Sequence, residues 1–352
     1  MKVVFLGLSI TSSWGNGHAT NYRALVRELD ARGHDVLFLE RDVPWYAAQR
    51  DLASPPWGRT CLYGSVEELR DGFGDDVRAA DLVVVGSYVP EGVAVGRWVT
   101  ETAAGTTAFY DIDTPVTLAK LARGDLEYLA PDLVGAYDLY LSFTGGPTLE
   151  RLEHVLGARR ACAFYCLVDP DAYGPAEAEP GWDLGYLGTY SEDRQPQVDA
   201  LLVEPARARP DARFVVAGPQ YPAGLDWPAN VERLEHVRPA EHSAFYAAQR
   251  WTLNVTRADM RSAGWSPSVR LFEAAACGVP VISDRWPGLG ELFREGEEIV
   301  IADSPLDVLR ALREIPDEER RAIGARARAK VLAEHTASRR VDQLEALVKV
   351  TA

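Results

Sequence analysis

Short apolar segments rich in β-branched and aromatic residues alternate along this chain with segments whose apolar residues recur at helical spacing. This alternation is typical of parallel sheets that are covered by helices on both faces. In the first half of the chain it predicts six strands, at Val3–Ser9, Asp35–Glu40, Asp81–Ser87, Thr106–Asp111, Asp138–Phe143 and Ala161–Cys166. Between the first two strands, one apolar stripe over residues 21–31 predicts a helix, and thus a βαβ unit.

The alternation stops over residues 169–182, a proline-rich segment without periodicity, and then starts again. The second half predicts six further strands, at Leu184–Gly188, Arg213–Ala217, Val231–His236, Thr252–Thr256, Val279–Ser283 and Glu298–Ala302. Three helices follow, at Leu306–Arg313, Glu318–Glu334 and Ala337–Val348. We therefore expect two doubly wound α/β domains, residues 1–172 and 173–335, and a last helix, residues 336–352, that returns toward the first domain. Ligands of such sheets bind at the carboxyl ends of the strands, so one active site is expected in a cleft between the domains.

Composition restricts the possible partners. The chain has 352 residues, 47% of them hydrophobic, which is enough for two cores. Its 37 Lys and Arg residues against 52 Asp and Glu give a net charge of −15, which disfavours nucleic acid and anionic membranes as partners. The sequence shows no integral membrane segment, no secretory cleavage pattern and no disulfide or metal spacing among its four cysteines. These features predict a cytoplasmic protein.

Residues 265–284 predict a loop, a helix and a strand in quick succession. Ser266 is suited to cap this helix, and Pro267 is suited to its first position. The first amides of the helix are then those of Ser268, Val269 and Arg270. Because such amides lack acceptors within the helix and lie at the positive end of its dipole, we expect an anion site here.

Two charged side chains of the same helix suggest the kind of anion. Glu273 lies near the start of the helix, where its carboxylate can accept two hydrogen bonds from a vicinal diol such as the 2′,3′-hydroxyls of a ribose. Arg270, one turn earlier, either neutralises a diphosphate or pairs with that carboxylate. The alternative is that this helix only packs on the sheet, with Glu273 a solvated surface acid.

A second candidate phosphate contact follows the first strand of the second half. Backbone at Gly188 and Thr189 can approach a phosphate closely, and Arg194 supplies a positive charge a few residues later. Arg257, which follows the fourth strand of that half, is a weaker candidate for the same task. The alternatives are an ordinary loop between a strand and a helix, and a surface salt bridge.

The first domain has polar candidates of its own at predicted strand ends. Gly15 and Gly17 allow a backbone loop to come close to a ligand, and His18 beside them is suited to acid/base chemistry or hydrogen bonding. Asp111 and Asp113 follow another strand, where they either contact an acceptor or stabilise a positively charged reacting centre. Helix capping and loop hydrogen bonding are the alternative tasks for this pair.

Three segments resemble glycosyltransferases of the GT-B fold, in particular the spore-maturation-protein-like branch of the retaining class. They are residues 253–257 (LNVTR), residues 268–280 (SVRLFEAAACGVP) and residues 284–293 (DRWPGLGELF). The resemblance implies two Rossmann-like domains facing each other across a cleft, with C-terminal helices packing back. It also implies an enzyme that transfers a sugar, of a hexosyltransferase type, and the layout matches over nearly the whole chain.

The resemblance also implies roles for single residues. The residue matching Glu273 holds the ribose of a nucleotide-sugar donor, and the amides matching 266–270 hold its diphosphate. The nucleobase rests near Val237 and Arg238. In the family a second acid lies eight positions before the first, and Trp265 stands there in this chain.

We therefore expect transfer of a sugar from a nucleotide diphosphate sugar to a small-molecule, glycan or protein acceptor. Since helix amides and arginines are available to stabilise the leaving diphosphate, neither a metal nor another cofactor is expected. Retention at the anomeric carbon follows from the resemblance alone. Two alternatives stay open: an NAD(P)-dependent oxidoreductase that uses Gly15, Gly17 and Glu40, and a nucleotide-sugar-binding protein without turnover, for which Trp265 is the argument.

Overall fold

The computed structural model describes residues 1–179 and 181–351. The chain forms two compact units, one of Met1–Leu167 with Ala337–Ala352 and one of Val168–Thr336. Each unit is built on a single parallel sheet.

The sheet of the first unit has seven parallel strands in the order β3-β2-β1-β4-β5-β6-β7. They are β1 (Lys2–Gly7), β2 (Asp35–Arg41), β3 (Arg59–Tyr63), β4 (Leu82–Gly86), β5 (Thr106–Asp111), β6 (Leu139–Ser142) and β7 (Ala161–Ala163). Helices between them are α1 (His18–Ala31), α2 (Pro44–Ala47), α3 (Val66–Arg78), α4 (Gly92–Thr102), α5 (Thr114–Ala122), α6 (Pro131–Val134) and α7 (Pro147–His154). The pattern did not predict β3, because it is an edge strand of which only Tyr63 is buried.

The sheet of the second unit has six parallel strands in the order β10-β9-β8-β11-β12-β13. They are β8 (Trp182–Leu187), β9 (Phe214–Ala217), β10 (Val231–Leu234), β11 (Gln249–Asn254), β12 (Val281–Ser283) and β13 (Val300–Ile301). The α-helices of this unit are α8 (Gln195–Val198), α9 (Glu204–Ala208), α10 (His242–Ala247), α11 (Ala258–Ala263), α12 (Val269–Ala276), α13 (Leu289–Leu292), α14 (Pro305–Glu314) and α15 (Asp317–Glu334). A π-helical turn, Asp199–Val203, joins α8 to α9, and a 3-10 turn, Pro239–Glu241, precedes α10.

The last helix, α16 (Ala337–Thr351), belongs to the first unit. There Arg32 of the α1 end pairs with Asp342, and His34 lies 3.0 Å from Glu345. Arg340 donates to the carbonyl of Tyr165. The C-terminal segment is therefore fixed to both α1 and the chain that follows β7.

Strand order identifies where ligands bind in each unit. The central strands β1, β4 and β5 are almost wholly buried, as expected for a parallel sheet covered on both faces. The order of strands reverses between β1 and β4 in the first sheet and between β8 and β11 in the second. Such a reversal opens a crevice at the carboxyl ends of the two strands. Within the described residues, no helix combines the length and the apolar content needed to cross a membrane.

Candidate functional site

Helix α12 begins later than its sequence predicted. It starts at Val269, with Ser268 as the preceding cap residue, instead of at Pro267 after a Ser266 cap. The cause is tertiary: Ser268 Oγ donates to Asn254 Oδ1 at 2.7 Å, and the amide of Trp265 donates to the carbonyl of Pro287 at 2.7 Å. The first amides of the helix are those of Val269 and Arg270, so the candidate anion site lies at these two residues.

Arg270 crosses the reversal point of the second sheet. Its Nε donates to the carbonyl of Leu187 at the end of β8, and its Nη1 donates to Asn254 Oδ1 at the end of β11, at 2.9 Å. Its guanidinium also lies over the ring of Tyr186, 4.7 Å from the centroid. Among the described residues it forms no ion pair with Glu273, so the simple pairing considered from the sequence is wrong.

Two glycines bring the ends of β8 and β9 together. Gly218 has φ +143°, and a Cβ atom there would lie 2.1 Å from the carbonyl oxygen of Gly188. The amide of Gly188 donates to the carbonyl of Ala217 at 2.8 Å. The prediction that this backbone amide binds a phosphate is therefore wrong for this conformation. The turn does pass close to Arg270, because a Cβ atom on Gly188 would lie 2.8 Å from its Nη2. The carbonyl of Thr189 accepts a hydrogen bond from Arg194.

Three arginines converge on this turn. Arg194, Arg233 and Arg270 all act electrostatically on Tyr221, whose hydroxyl donates to the carbonyl of Gly188 at 3.1 Å. Arg233 lies over the Tyr221 ring, 4.0 Å from its centroid. Within residues 1–179 and 181–351, none of the three forms an ion pair. By contrast, Nε of Arg257 lies 3.8 Å from Oδ2 of Asp193. This ion pair is the surface salt bridge that the sequence offered as the alternative role of Arg257. Sequence reasoning missed Arg233, whose only signal is a charged position within a predicted strand.

Glu273 lies in a buried cluster, which we call the Glu273 cluster: Glu273, Tyr173, His242 and Tyr246. Tyr246 donates to Glu273 Oε2 at 3.3 Å, and His242 Nδ1 lies 4.0 Å from the same oxygen. The side chain of Glu273 is 8% exposed, so it is not a solvated surface acid. Burial, followed by the charge of Glu273, raises the pKa of both tyrosines well above the usual range. The other three members were not predicted.

The predicted nucleobase contact is mostly engaged by the protein itself. Val237 is buried and its carbonyl lies 3.2 Å from His242 Nε2. Arg238 pairs through its exposed guanidinium with Glu241, and its amide donates to the same carboxylate at 3.1 Å. In this conformation the Arg238 side chain is therefore engaged by Glu241 and does not face a nucleobase.

A buried acid that the sequence did not single out for chemistry lies at the end of β12. Asp284 is 1% exposed and accepts hydrogen bonds from the amide and the hydroxyl of Thr256. Burial raises the pKa of Asp284 to about 6, although the Thr256 bonds and nearby arginines act in the opposite direction. This carboxylate ties the ends of β11 and β12 together.

In the first unit, His18 and Asp113 lie close to each other. His18 Nε2 is 3.9 Å from Asp113 Oδ2, and Tyr88 donates to the same oxygen at 3.1 Å. Tyr88 takes a left-handed φ of 64°, and its ring contacts His18 edge-on. His18 Nδ1 is buried without a hydrogen-bond partner among the described residues. The structure thus brings His18, Asp113 and Tyr88 together at the reversal point of the first sheet; sequence reasoning missed Tyr88.

Asp111 does not share this position. It is fully buried and accepts hydrogen bonds from Tyr140 and Thr117, so contact with an acceptor, as predicted, is not possible in this conformation. Burial raises the pKa of Asp111 to about 6. Gly15 and Gly17 are exposed, with open space around both Cα atoms. They leave room for a ligand.

The residue needed for the oxidoreductase alternative is already engaged. Glu40 is fully buried. Its carboxylate accepts hydrogen bonds from the hydroxyls of Ser9 and Thr11 and from the amides of Ile10 and Thr11. These bonds hold the loop after β1 and leave this carboxylate no role in binding the ribose of a dinucleotide.

Solved structures with the same architecture cover nearly the whole chain. Sucrose-phosphate synthase from Thermosynechococcus elongatus has a TM-score of 0.72 and 15% identity over 99% of both chains. HepE from Anabaena, crystallised in complex with UDP and glucose, has a TM-score of 0.72 and 13% identity over 99% of this chain and 100% of its own. An alpha-glucosyltransferase in complex with UDP-glucose and DNA containing an abasic site has a TM-score of 0.68 and 12% identity over 99% of this chain and 98% of its own.

The fold is accordingly that of the GT-B glycosyltransferases, two Rossmann-like domains, and the predicted fold class is confirmed. In sequence, residues 194–346 match the family described as Glycosyl transferase-like. No curated protein sequence matches the chain.

Proposed function

We propose that this chain is a glycosyltransferase that moves a sugar from a nucleotide diphosphate sugar to an acceptor hydroxyl or amine. One observation carries the proposal: Arg194, Arg233 and Arg270 lie around one turn and form no ion pair with any described residue, in a chain whose net charge is −15. Three uncompensated guanidinium groups at the reversal point of a Rossmann-like sheet favour a diphosphate ligand.

The remaining groups fit the parts of such a donor. The amides of Val269 and Arg270 bind the diphosphate, and Glu273 accepts hydrogen bonds from the ribose. Arginines and helix amides stabilise the charge of the leaving diphosphate, so transfer proceeds without a divalent ion. His18 and Asp113 act on the acceptor, and the anomeric configuration is retained. Because two structural neighbours are complexes with UDP or UDP-glucose, UDP-glucose is the first donor to test.

Calorimetry with a panel of nucleoside diphosphates and their sugars tests the donor site. Wild type is expected to bind at least one of them, and Glu273→Ala to bind it about tenfold or more weakly, since a hydrogen bond to a charged group contributes about 1.5–3 kcal/mol. A wild-type protein that binds none of the panel contradicts the proposal. Binding of NAD(P) alone would support an oxidoreductase instead.

Donor hydrolysis and transfer, measured with EDTA and with added Mg²⁺, test catalysis and metal independence separately. Activity that survives EDTA is expected. Binding without hydrolysis or transfer for any acceptor in the screen would indicate a nucleotide-sugar-binding protein, the alternative suggested by Trp265. In this structure Trp265 has φ 43° and donates through its indole to Glu291, so it is held in place where the family has its second acid.

A further inference from the structure

His242 of α10 contacts both parts of the proposed nucleoside site. Its Nε2 lies 3.2 Å from the carbonyl of Val237, beside which the base is expected to rest. Its Nδ1 lies 3.1 Å from the hydroxyl of Tyr173 and 4.0 Å from Oε2 of Glu273, the proposed ribose ligand. All four residues belong to the second unit.

One neutral tautomer of the imidazole satisfies both neighbours at once. A carbonyl only accepts, so Nε2 carries the proton that it donates to Val237. Nδ1 of the neutral ring is then an acceptor, and it takes the hydroxyl proton of Tyr173. In this tautomer Tyr173 donates to His242, although the Glu273 carboxylate is close enough to interact with it. Tyr246 is then the hydroxyl donor of Glu273.

We propose that His242 is a positioning residue that keeps the Glu273 carboxylate available to the ribose and thereby sets the preference of the site for ribonucleotides. The inference rests on the proposed function. Without His242, the hydroxyl of Tyr173 loses its acceptor in a buried environment, since Tyr173 is 5% exposed. It then turns to the nearest remaining acceptor, the carboxylate of Glu273, and competes there with the ribose hydroxyls.

The test compares a ribonucleotide with its 2′-deoxy counterpart. We would use whichever of UDP, ADP and GDP binds wild type most tightly, and measure both forms by calorimetry. Wild type is expected to prefer the ribonucleotide by about tenfold. His242→Leu should bind the ribonucleotide about tenfold more weakly and the 2′-deoxy form within about twofold of wild type, so the preference disappears.

A second variant separates positioning from a general structural role. In His242→Leu/Tyr173→Phe the competing hydroxyl is gone, so most of the ribose preference should return. His242→Gln, whose amide can donate to Val237 and accept from Tyr173, should keep part of it. The exposed His154 of α7 supplies the control, His154→Leu, which should behave as wild type.

The outcomes distinguish the two proposals. Equal loss for both nucleotides, no loss in His242→Leu, or no recovery in the double variant overturns the role of His242 while leaving the donor site intact. A wild type that binds no nucleoside diphosphate overturns the proposed function and this inference with it. If His242→Leu does not fold, His242→Gln and Tyr173→Phe test the role of His242 instead. Tyr173→Phe must then keep the full preference for the ribonucleotide, and His242→Gln must keep only part of it.

Discussion

Nη1 of Arg270 donates a hydrogen bond to Oδ1 of Asn254 at 2.9 Å, which fixes the first turn of α12 to the end of β11. The orientation of the Asn254 amide is set by its other end, which donates to Thr256 and to Ser283 at 3.2 and 3.0 Å. Ser268 donates to the same Oδ1. One buried amide therefore determines where both the guanidinium and the helix amides lie.

Replacing Arg270 by Lys should weaken nucleoside diphosphate binding by about tenfold to a hundredfold, measured by calorimetry. An ammonium group keeps the charge but cannot reach the Leu187 carbonyl and Asn254 while also facing a phosphate, because it lacks the planar fork. Arg310→Lys, an exposed change on α14, is the matched control and should bind as wild type. Unaltered binding by Arg270→Lys would argue that the diphosphate lies elsewhere.

Replacing Gly218 by Ala should destabilise the protein by about 2–4 kcal/mol in chemical unfolding. The added Cβ would meet the carbonyl oxygen of Gly188 at 2.1 Å, and φ +143° is a conformation that an L side chain rarely adopts. Backbone must move in response, so diphosphate binding should weaken as well. Gly224→Ala adds a methyl group where nothing lies within 4 Å and should be nearly neutral; comparable losses in both variants would contradict this explanation.

The architecture was predictable because it depends on periodicity. Buried strands such as Leu82–Gly86 are apolar along their length, and their alternation with helices is visible in the sequence. Every predicted strand is present; Thr106–Asp111 has the predicted bounds, and the others are shifted at one or both ends. The edge strand β3 was missed because its residues alternate too weakly in burial.

The site was predictable only where one local segment carries it. The anion site at the start of α12 followed from local signals, yet its position was two residues off, since Asn254 decides which serine precedes the helix. Arg233 and Tyr173 come from a strand interior and a proline-rich segment, where no local pattern indicates that they meet a ligand site. Their role arises from tertiary contacts, which one sequence does not reveal.

His18→Ala should lower turnover by about 10²–10⁴-fold while donor affinity and melting temperature stay close to wild type. The reason for the lower turnover is that the imidazole approaches Asp113 at the reversal point of the first sheet. Donor affinity should be retained because His18 belongs to the first unit, whereas the proposed donor residues belong to the second. His154→Ala, at an exposed position on α7, is the control. Near-normal turnover of His18→Ala in a transfer assay would remove His18 from the mechanism.

Tyr88→Phe should reduce turnover less than His18→Ala, by about tenfold. The change removes only the hydroxyl that donates to Asp113 and keeps the ring against His18. Tyr137→Phe is a suitable control, because the Tyr137 hydroxyl is buried and has no partner among the described residues. A Tyr88→Phe enzyme as active as the control would show that Asp113 needs no such donor.

Asp284 should make the second unit less stable as the pH rises. Burial raises its pKa from 3.8 to about 6 in the folded protein, so between these values the folded chain binds more protons than the unfolded chain. The contribution of Asp284 to the stability of the protein is therefore largest below about pH 4 and is lost as the pH rises through 6. The difference of about two pKa units corresponds to about 3 kcal/mol.

Chemical unfolding of wild type and Asp284→Asn between pH 4 and 7 isolates this contribution from those of other carboxyl groups. Asn keeps an acceptor for the amide and hydroxyl of Thr256 but carries no charge, so its stability relative to wild type should increase with pH. Asp226→Asn, at an exposed position, should show no such trend. A constant difference between Asp284→Asn and wild type would mean that Asp284 is ionised in the folded protein throughout this range, held so by the nearby arginines.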